Sequence, residues 1–235
     1  MDDAQMEEHA LDLQRRGQFG EAEPLFRQVF AARVAQLGPE HIDTLAAINN
    51  LANLLHDRGQ DREAESLHQS CLEARARTLG ADHPHTLGSL NNLALLLEAR
   101  GDFDGAEKLY HRGWESMKRV AGPDDADTLS ILNNLAGVLS DKADYAAAET
   151  LYRQLSTALQ KKFGSEHPST LAAEGNLANL LLRKGEPSSA DPIYRRCLEI
   201  RERTQGAEHP ETLLALANFA ACQLELDHYA EAQKL

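Results

Sequence analysis

Asparagine pairs return along this chain at one fixed interval. Asn49-Asn50, Asn91-Asn92 and Asn133-Asn134 are followed by Gly175-Asn176 and Ala217-Asn218, each 42 residues after the last, and the second asparagine is never lost. Asn53 and Asn179 stand one helical turn beyond two of these pairs. An amide side chain offers two donors and two acceptor lone pairs, so a column of amides can grip the main chain of an extended peptide whatever its sequence. Each such bond contributes roughly 0.5–1.5 kcal/mol net, and five of them roughly 2.5–7.5 kcal/mol, against an association cost of about 4–15 kcal/mol. Selectivity must therefore come from spaces between the asparagines. Ala46, Gly88, Ser130 and Ala172, small residues at one repeated position, leave room for ligand side chains. The candidate peptide-binding residues are thus Asn49, Asn50, Asn53, Asn91, Asn92, Asn133, Asn134, Asn176, Asn179 and Asn218. A second role for the same residues is to hydrogen-bond a neighbouring helix and fix the angle between units. The loss of the first asparagine at Gly175 and Ala217 favours ligand contact for that member of the pair, since the stack tolerates its absence.

Other chemistry is poorly provided for. Of the ten histidines, His41, His83, His167 and His209 open successive units, a whole repeat apart, and His83 with His85 supplies too few ligands for a metal site. No metal and no cofactor are expected. The chain has no phosphate-binding glycine loop, no dinucleotide fingerprint, no nucleophile elbow and no zinc-protease motif. Cys71 and Cys197 lie 126 residues apart, three intervals, so they hold one position on different units; a small buried packing residue is expected there rather than a disulfide. Catalysis has no nominated residues.

The elements that must carry the asparagines follow from the same interval. Around Asn49, the residues Ala46, Asn49, Asn50, Asn53, His56 and Asp57 share one arc at about 100° per residue, while Leu45, Ala47, Ile48, Leu51, Ala52, Leu54 and Leu55 fill the other half. This predicts a helix buried on a wide face. Gly59 ends it, a second helix starts near Asp61, and Gly80 stops that one. His83-Pro84 then restarts the pattern, with proline suited to a first helical turn. Threonine marks each unit at Thr44, Thr86, Thr128, Thr170 and Thr212. Glycine recurs between paired helices at Gly17, Gly59, Gly101 and Gly185, replaced by Ala143 and Asp227. Alanine opens every second helix, from Ala22 to Ala232, with Leu25 to Leu235 three residues on. The units run 1–40, 41–82, 83–124, 125–166, 167–208 and 209–235, the last incomplete, and form one elongated domain. Asp125-Ala126, in place of His-Pro, is expected to leave its turn less rigid. Trp114, which shares its position with Leu72 and Leu198, is expected in the core or as a half-exposed filler.

Composition agrees with an all-α chain: 42% of the residues are apolar but only 5% aromatic. With 24 basic and 37 acidic residues the formal charge is −13, which argues against nucleic acid or anionic membrane as partners. No apolar run approaches the roughly 18 residues of a membrane span, and the acidic start lacks the apolar core of a signal peptide. A soluble, cytoplasmic protein is expected. The first helix carries Glu7 and Glu8 where the asparagine pair would stand, so it reads as an atypical end unit. The chain stops at Leu235, early in a second helix and without a polar capping helix, which suggests a piece of a longer protein or a C-terminal face that meets something.

The helix pair, with glycine and alanine five residues apart at its turn and an aromatic four residues past the alanine (Phe26, Tyr110, Tyr152, Tyr194, with His68 departing), resembles the tetratricopeptide repeat. The 42-residue interval, the HPHTLGSLNNLALLL stretch from His83 and the AETLY stretch from Ala148 are similar, more narrowly, to the repeats of kinesin light chains and their relatives. That resemblance covers about the whole chain. It implies a right-handed superhelical solenoid of antiparallel helix pairs, whose first helices line a concave groove for an extended peptide of a partner. On this basis the groove floor comprises Ala46, Asn49, Asn50, Asn53 and Asp57, then Gly88, Asn91, Asn92, Leu95 and Ala99. It continues through Ser130, Asn133, Asn134, Gly137 and Asp141, through Ala172, Gly175, Asn176, Asn179 and Arg183, to Leu214, Ala217, Asn218, Ala221 and Glu225. Relatives that take acidic peptides rely on basic floor residues, whereas here Asp57, Asp141 and Glu225 face only Arg183. A strongly acidic partner is disfavoured. The function expected is a non-catalytic protein-interaction module that binds a peptide segment. The alternatives are a structural or sensory array within a larger signalling protein, or self-association through the C-terminal end.

Overall fold

The computed structural model describes residues 2–226, which are helical and contain no strand. The contacts divide the chain after Gly122 into two compact units. The first holds α1 (Asp3–Arg15), α2 (Phe19–Leu37), α3 (Ile42–Asp57), α4 (Asp61–Thr78), α5 (Pro84–Ala99) and α6 (Phe103–Val120). The second holds α7 (Ala126–Asp141), α8 (Tyr145–Phe163), α9 (Pro168–Arg183), α10 (Pro187–Gln205) and α11 (Pro210–Glu225). Within each unit every helix packs on the next one in sequence, as short turns between helices require. The expectations placed on Asp227, Ala232, Leu235 and the uncapped C-terminal face fall outside the described residues.

The buried stripe predicted for the first helices is the core. In the first unit Leu51, Leu54 and Leu55 of α3 close against Ala10, Leu13, Ala22, Phe26 and Ala64. Leu129, Leu132, Leu135, Leu171 and Leu177 are buried in the second unit beside Ala148 and Ala190, the small residues that let second helices approach. Cutting Phe26 to alanine would cost about 3–5 kcal/mol, the usual cost of emptying a filled core site.

The repeated polar residues at the unit openings are structural. Thr44, Thr86 and Thr170 are fully buried, and each Oγ1 donates at 2.8 Å to the carbonyl of the glycine six residues earlier: Gly38, Gly80 and Gly164. Each threonine so ties the end of one repeat to the start of the next. His41, His83, His167 and His209 are helix caps, whose Nδ1 accepts at 3.2 Å from the main-chain N–H two residues on. Asp125, expected to weaken its turn, accepts from the N–H groups of both Asp127 and Thr128. A carboxylate is among the better helix caps, so the turn keeps its anchor without His-Pro. Ala143 does adopt the left-handed conformation of the glycines it replaces, with φ +61° against +80° at Gly101. Trp114 is half-buried, with Lys118 Nζ 4.4 Å from its ring centre.

Candidate functional site

All ten candidate asparagines lie on first helices and are half-buried. Asn49, Asn50 and Asn53 belong to α3, Asn91 and Asn92 to α5, Asn133 and Asn134 to α7, Asn176 and Asn179 to α9, and Asn218 to α11. Their amides are partly spent on one another. Asn92 Nδ2 donates to Asn49 Oδ1 at 2.9 Å, and Asn176 Nδ2 donates to Asn133 Oδ1 at the same distance. At the start of the chain Asn50 donates to Glu7, also at 2.9 Å, so the glutamate takes the acceptor place that Asn49 holds one repeat later. Asn50, Asn92 and Asn176 are therefore rungs to the preceding repeat. Asn91 and Asn134 are not free either. Each rung uses one N–H of the donor and one lone pair of the acceptor, so every such amide retains groups for a ligand.

Of the four small residues expected to leave room, Ser130 and Ala172 border a cavity. In the second unit a cavity of about 370 Å³ opens between α7 and α9 and reaches down to α8. Ser130, Asn133, Ala172 and Asn176 form its rim and the buried Leu129, Leu155 and Leu159 its interior, with the exposed Phe163 also lining it. A smaller one of about 130 Å³ lies between α9 and α11 above α10, lined among others by Gly175, Asn179, Tyr194, Arg201 and Asn218. Sequence reasoning identified the rims and missed the floors, which come from second helices. The signal was present: Arg33, Arg75, Met117, Leu159 and Arg201 share one position at the 42-residue interval. Arg33 grips Glu7 with both Nη atoms, at 3.2 and 2.5 Å, and also donates to the Asp43 carbonyl. Arg75, buried, donates to the His85 carbonyl and, at 2.7 Å, to Ser89 Oγ. Leucine at 159 leaves the corresponding space apolar.

Charges on the face are largely matched. Arg183 pairs with Asp141 at 2.8 Å, and Asp57 accepts from Gln14 at 2.6 Å. Arg201 pairs with Glu211 at 3.1 Å. The three cysteines are free and buried, as expected for packing residues. Burial foremost, with Glu174 beside it, pushes the Cys197 thiol up to about 12, and burial pushes Cys222 up to about 11. Neither is a thiolate near neutrality, so neither is an activated nucleophile. Tyr194 is likewise held protonated by burial, and its hydroxyl donates to Asn179 Oδ1 at 2.5 Å. What this arrangement can do is present amide donors and acceptors around neutral cavities.

The family model of the tetratricopeptide repeat matches residues 2–77, 43–119, 85–161, 127–203 and 169–235. The chain belongs to the tetratricopeptide repeat family. Its repeats are of the kinesin light chain-like kind. The chain is similar to the crystal structure of kinesin light chain-like repeats from Podosopora anserina, at 28% identity over 86% of this chain and 96% of that one, with a TM-score of 0.78. The structure of BtubC from P. vanneervenii is similar at 22% identity, covering 94% and 87% of the two chains, with a TM-score of 0.73. The apo form of RapI matches at 10% identity over 98% and 86%, also with a TM-score of 0.73, and like BtubC it speaks for the fold alone. No curated protein matches the chain. Tetratricopeptide repeats typically serve protein–protein interaction. No helix among the described residues is long and apolar enough to cross a membrane.

Proposed function

We propose that the protein is a non-catalytic interaction module that holds an extended segment of a partner protein across its first helices, with a bulky apolar side chain of that segment in the cavity above Leu159. The observation that carries this reading is the cavity of about 370 Å³, ringed by Asn133, Asn176 and Ser130 and floored by buried leucines. Pockets of that size, apolar inside with a few convergent polar groups, are the usual form of a ligand site. The amide rim suits a peptide's main chain, and the floor suits a large aliphatic or aromatic residue. The net charge of −13 and the pairing of Arg183 with Asp141 favour a neutral or basic segment over a strongly acidic one.

Leu159→Arg tests the proposal, because arginine already stands at this place in three other repeats and is compatible with the helix pair. A displayed library of random dodecapeptides should yield binders on the native protein, and these should bind the L159R protein at least ten-fold more weakly while its helical circular dichroism is unchanged. Failure of the native protein to enrich any peptide, or equal binding by both proteins, would count against the proposal.

A further inference from the structure

Within the two units one rung between repeats is missing. Asn50 donates to Glu7, Asn92 to Asn49 and Asn176 to Asn133. Asn218 stands at the next such place in the second unit, half-buried on α11, and the residue that should accept from it is Gly175. Among the described residues Asn218 has no hydrogen-bond partner, although it lines the cavity between α9 and α11.

Nothing in the packing asks for glycine at 175. It lies inside α9 with an ordinary helical backbone, and a Cβ built there meets no atom within 4 Å. A glycine inside a helix weakens it. Here it also forfeits a rung. The one thing this residue supplies is space beside unspent amides: Asn218 uses none of its groups, Asn179 uses only Oδ1, toward Tyr194, and Asn176 uses only one N–H. The one cation on the wall, Arg201, is matched by Glu211. The cavity is therefore neutral and offers both N–H donors and amide acceptors, which fits an amide group better than an ion.

We infer that this gap is a rung completed by the ligand: a carbonyl oxygen from an amide group of the bound segment accepts from Asn218 Nδ2, in place of the asparagine that Gly175 lacks. The inference rests on the peptide-binding reading above. The carbonyl belongs either to the segment's main chain or to an Asn or Gln side chain.

The test uses peptides selected from the random dodecapeptide library on the native protein and measures by calorimetry their affinity for that protein and for the Gly175→Asn, Gly175→Ala and Leu159→Arg variants. Gly175→Asn, which restores the internal acceptor, should melt at higher temperature and bind at least ten-fold more weakly. Gly175→Ala, which adds a Cβ without an acceptor, should bind within about three-fold of the native protein. The side-chain amide resonance of Asn218 should shift when peptide is added to the native protein, and should already be shifted in free G175N. Within the selected peptides, alanine in place of an Asn or Gln weakens binding to the native protein if the side chain is the source, and leaves it unchanged if the main chain is. Unchanged affinity in G175N alongside weakened binding in L159R would overturn the completed rung and leave the groove standing. Equal weakening in G175A and G175N would overturn it too, by making space rather than the acceptor decisive. If no peptide is enriched at all, both readings fall together.

Discussion

In the first unit two second helices each send an arginine onto a first helix. Arg33 reaches Glu7, and Arg75 reaches Ser89 and the His85 carbonyl. In the second unit the same repeat position holds Leu159 and then Arg201, which turns to Glu211, and cavities of about 370 and 130 Å³ remain. The rungs differ in parallel, with Asn50 and Asn92 both served in the first unit and Asn218 unserved in the second. One repeat position thus carries an engaged arginine at Arg33 and Arg75 and an apolar cavity wall at Leu159. The difference teaches that a periodic scaffold can gain cavities by small substitutions: the helices and caps persist where a leucine stands in the place of an arginine, or a glycine in the place of an asparagine.

The largest expected break in the comparison is acid. The first unit buries His68 at the aromatic position where the second has Tyr152 and Tyr194. Burial foremost, then the neighbouring His56, lowers His68 from 6.5 to about 4. Unfolded chain binds the proton near 6.5 and folded chain only near 4, so stability present above 6.5 is lost as the pH falls to about 4 and is level again below it. The loss amounts to roughly 3 kcal/mol. Hydrogen exchange between pH 7 and 4 should show α3 and α4 losing protection before α8 and α10. His68→Phe, which copies Phe26 of the first repeat, should abolish that order; an unchanged order would show that His68 is not the cause.

A smaller effect separates the served rung from the unserved one. Asn92→Ala removes a hydrogen bond and strands Asn49, which should cost about 1 kcal/mol, whereas Asn218→Ala should leave the denaturant midpoint where it was. Equal costs would erase the distinction between the units. Smaller still is the turn after α7. Ala143 is the one non-glycine residue among those described with positive φ, while the first unit has Gly17, Gly59 and Gly101 in these turns. Ala143→Gly should therefore raise stability, by about 1 kcal/mol or less, seen as a higher melting temperature.

Most of the scaffold was legible in the residues themselves. Helix pairing, the glycine turns and the buried leucine stripe follow from periodicity and local conformational preference. The capping histidines and Asp125 act on N–H groups two or three residues away, within reach of local reasoning. The asparagines were legible as a column with two open roles, ligand contact or a bond to a neighbouring helix, but not the partner each takes, because Asn92 and Asn49 are brought together only by the stacking of α5 on α3.

The sequence alone determined the 42-residue repeat, the all-helical architecture and which side chains share a face, since each depends on spacing along one helix or across one short turn. Tertiary structure decided which of those side chains remain available. Asn218 is unspent because Gly175 lies opposite it on another helix, and the cavity between α7 and α9 is open because α8 puts Leu159 beneath it. Hydrogen bonds and volume are settled by atoms within a few ångströms in space, and here those neighbours lie on other helices, up to 43 residues away in the chain.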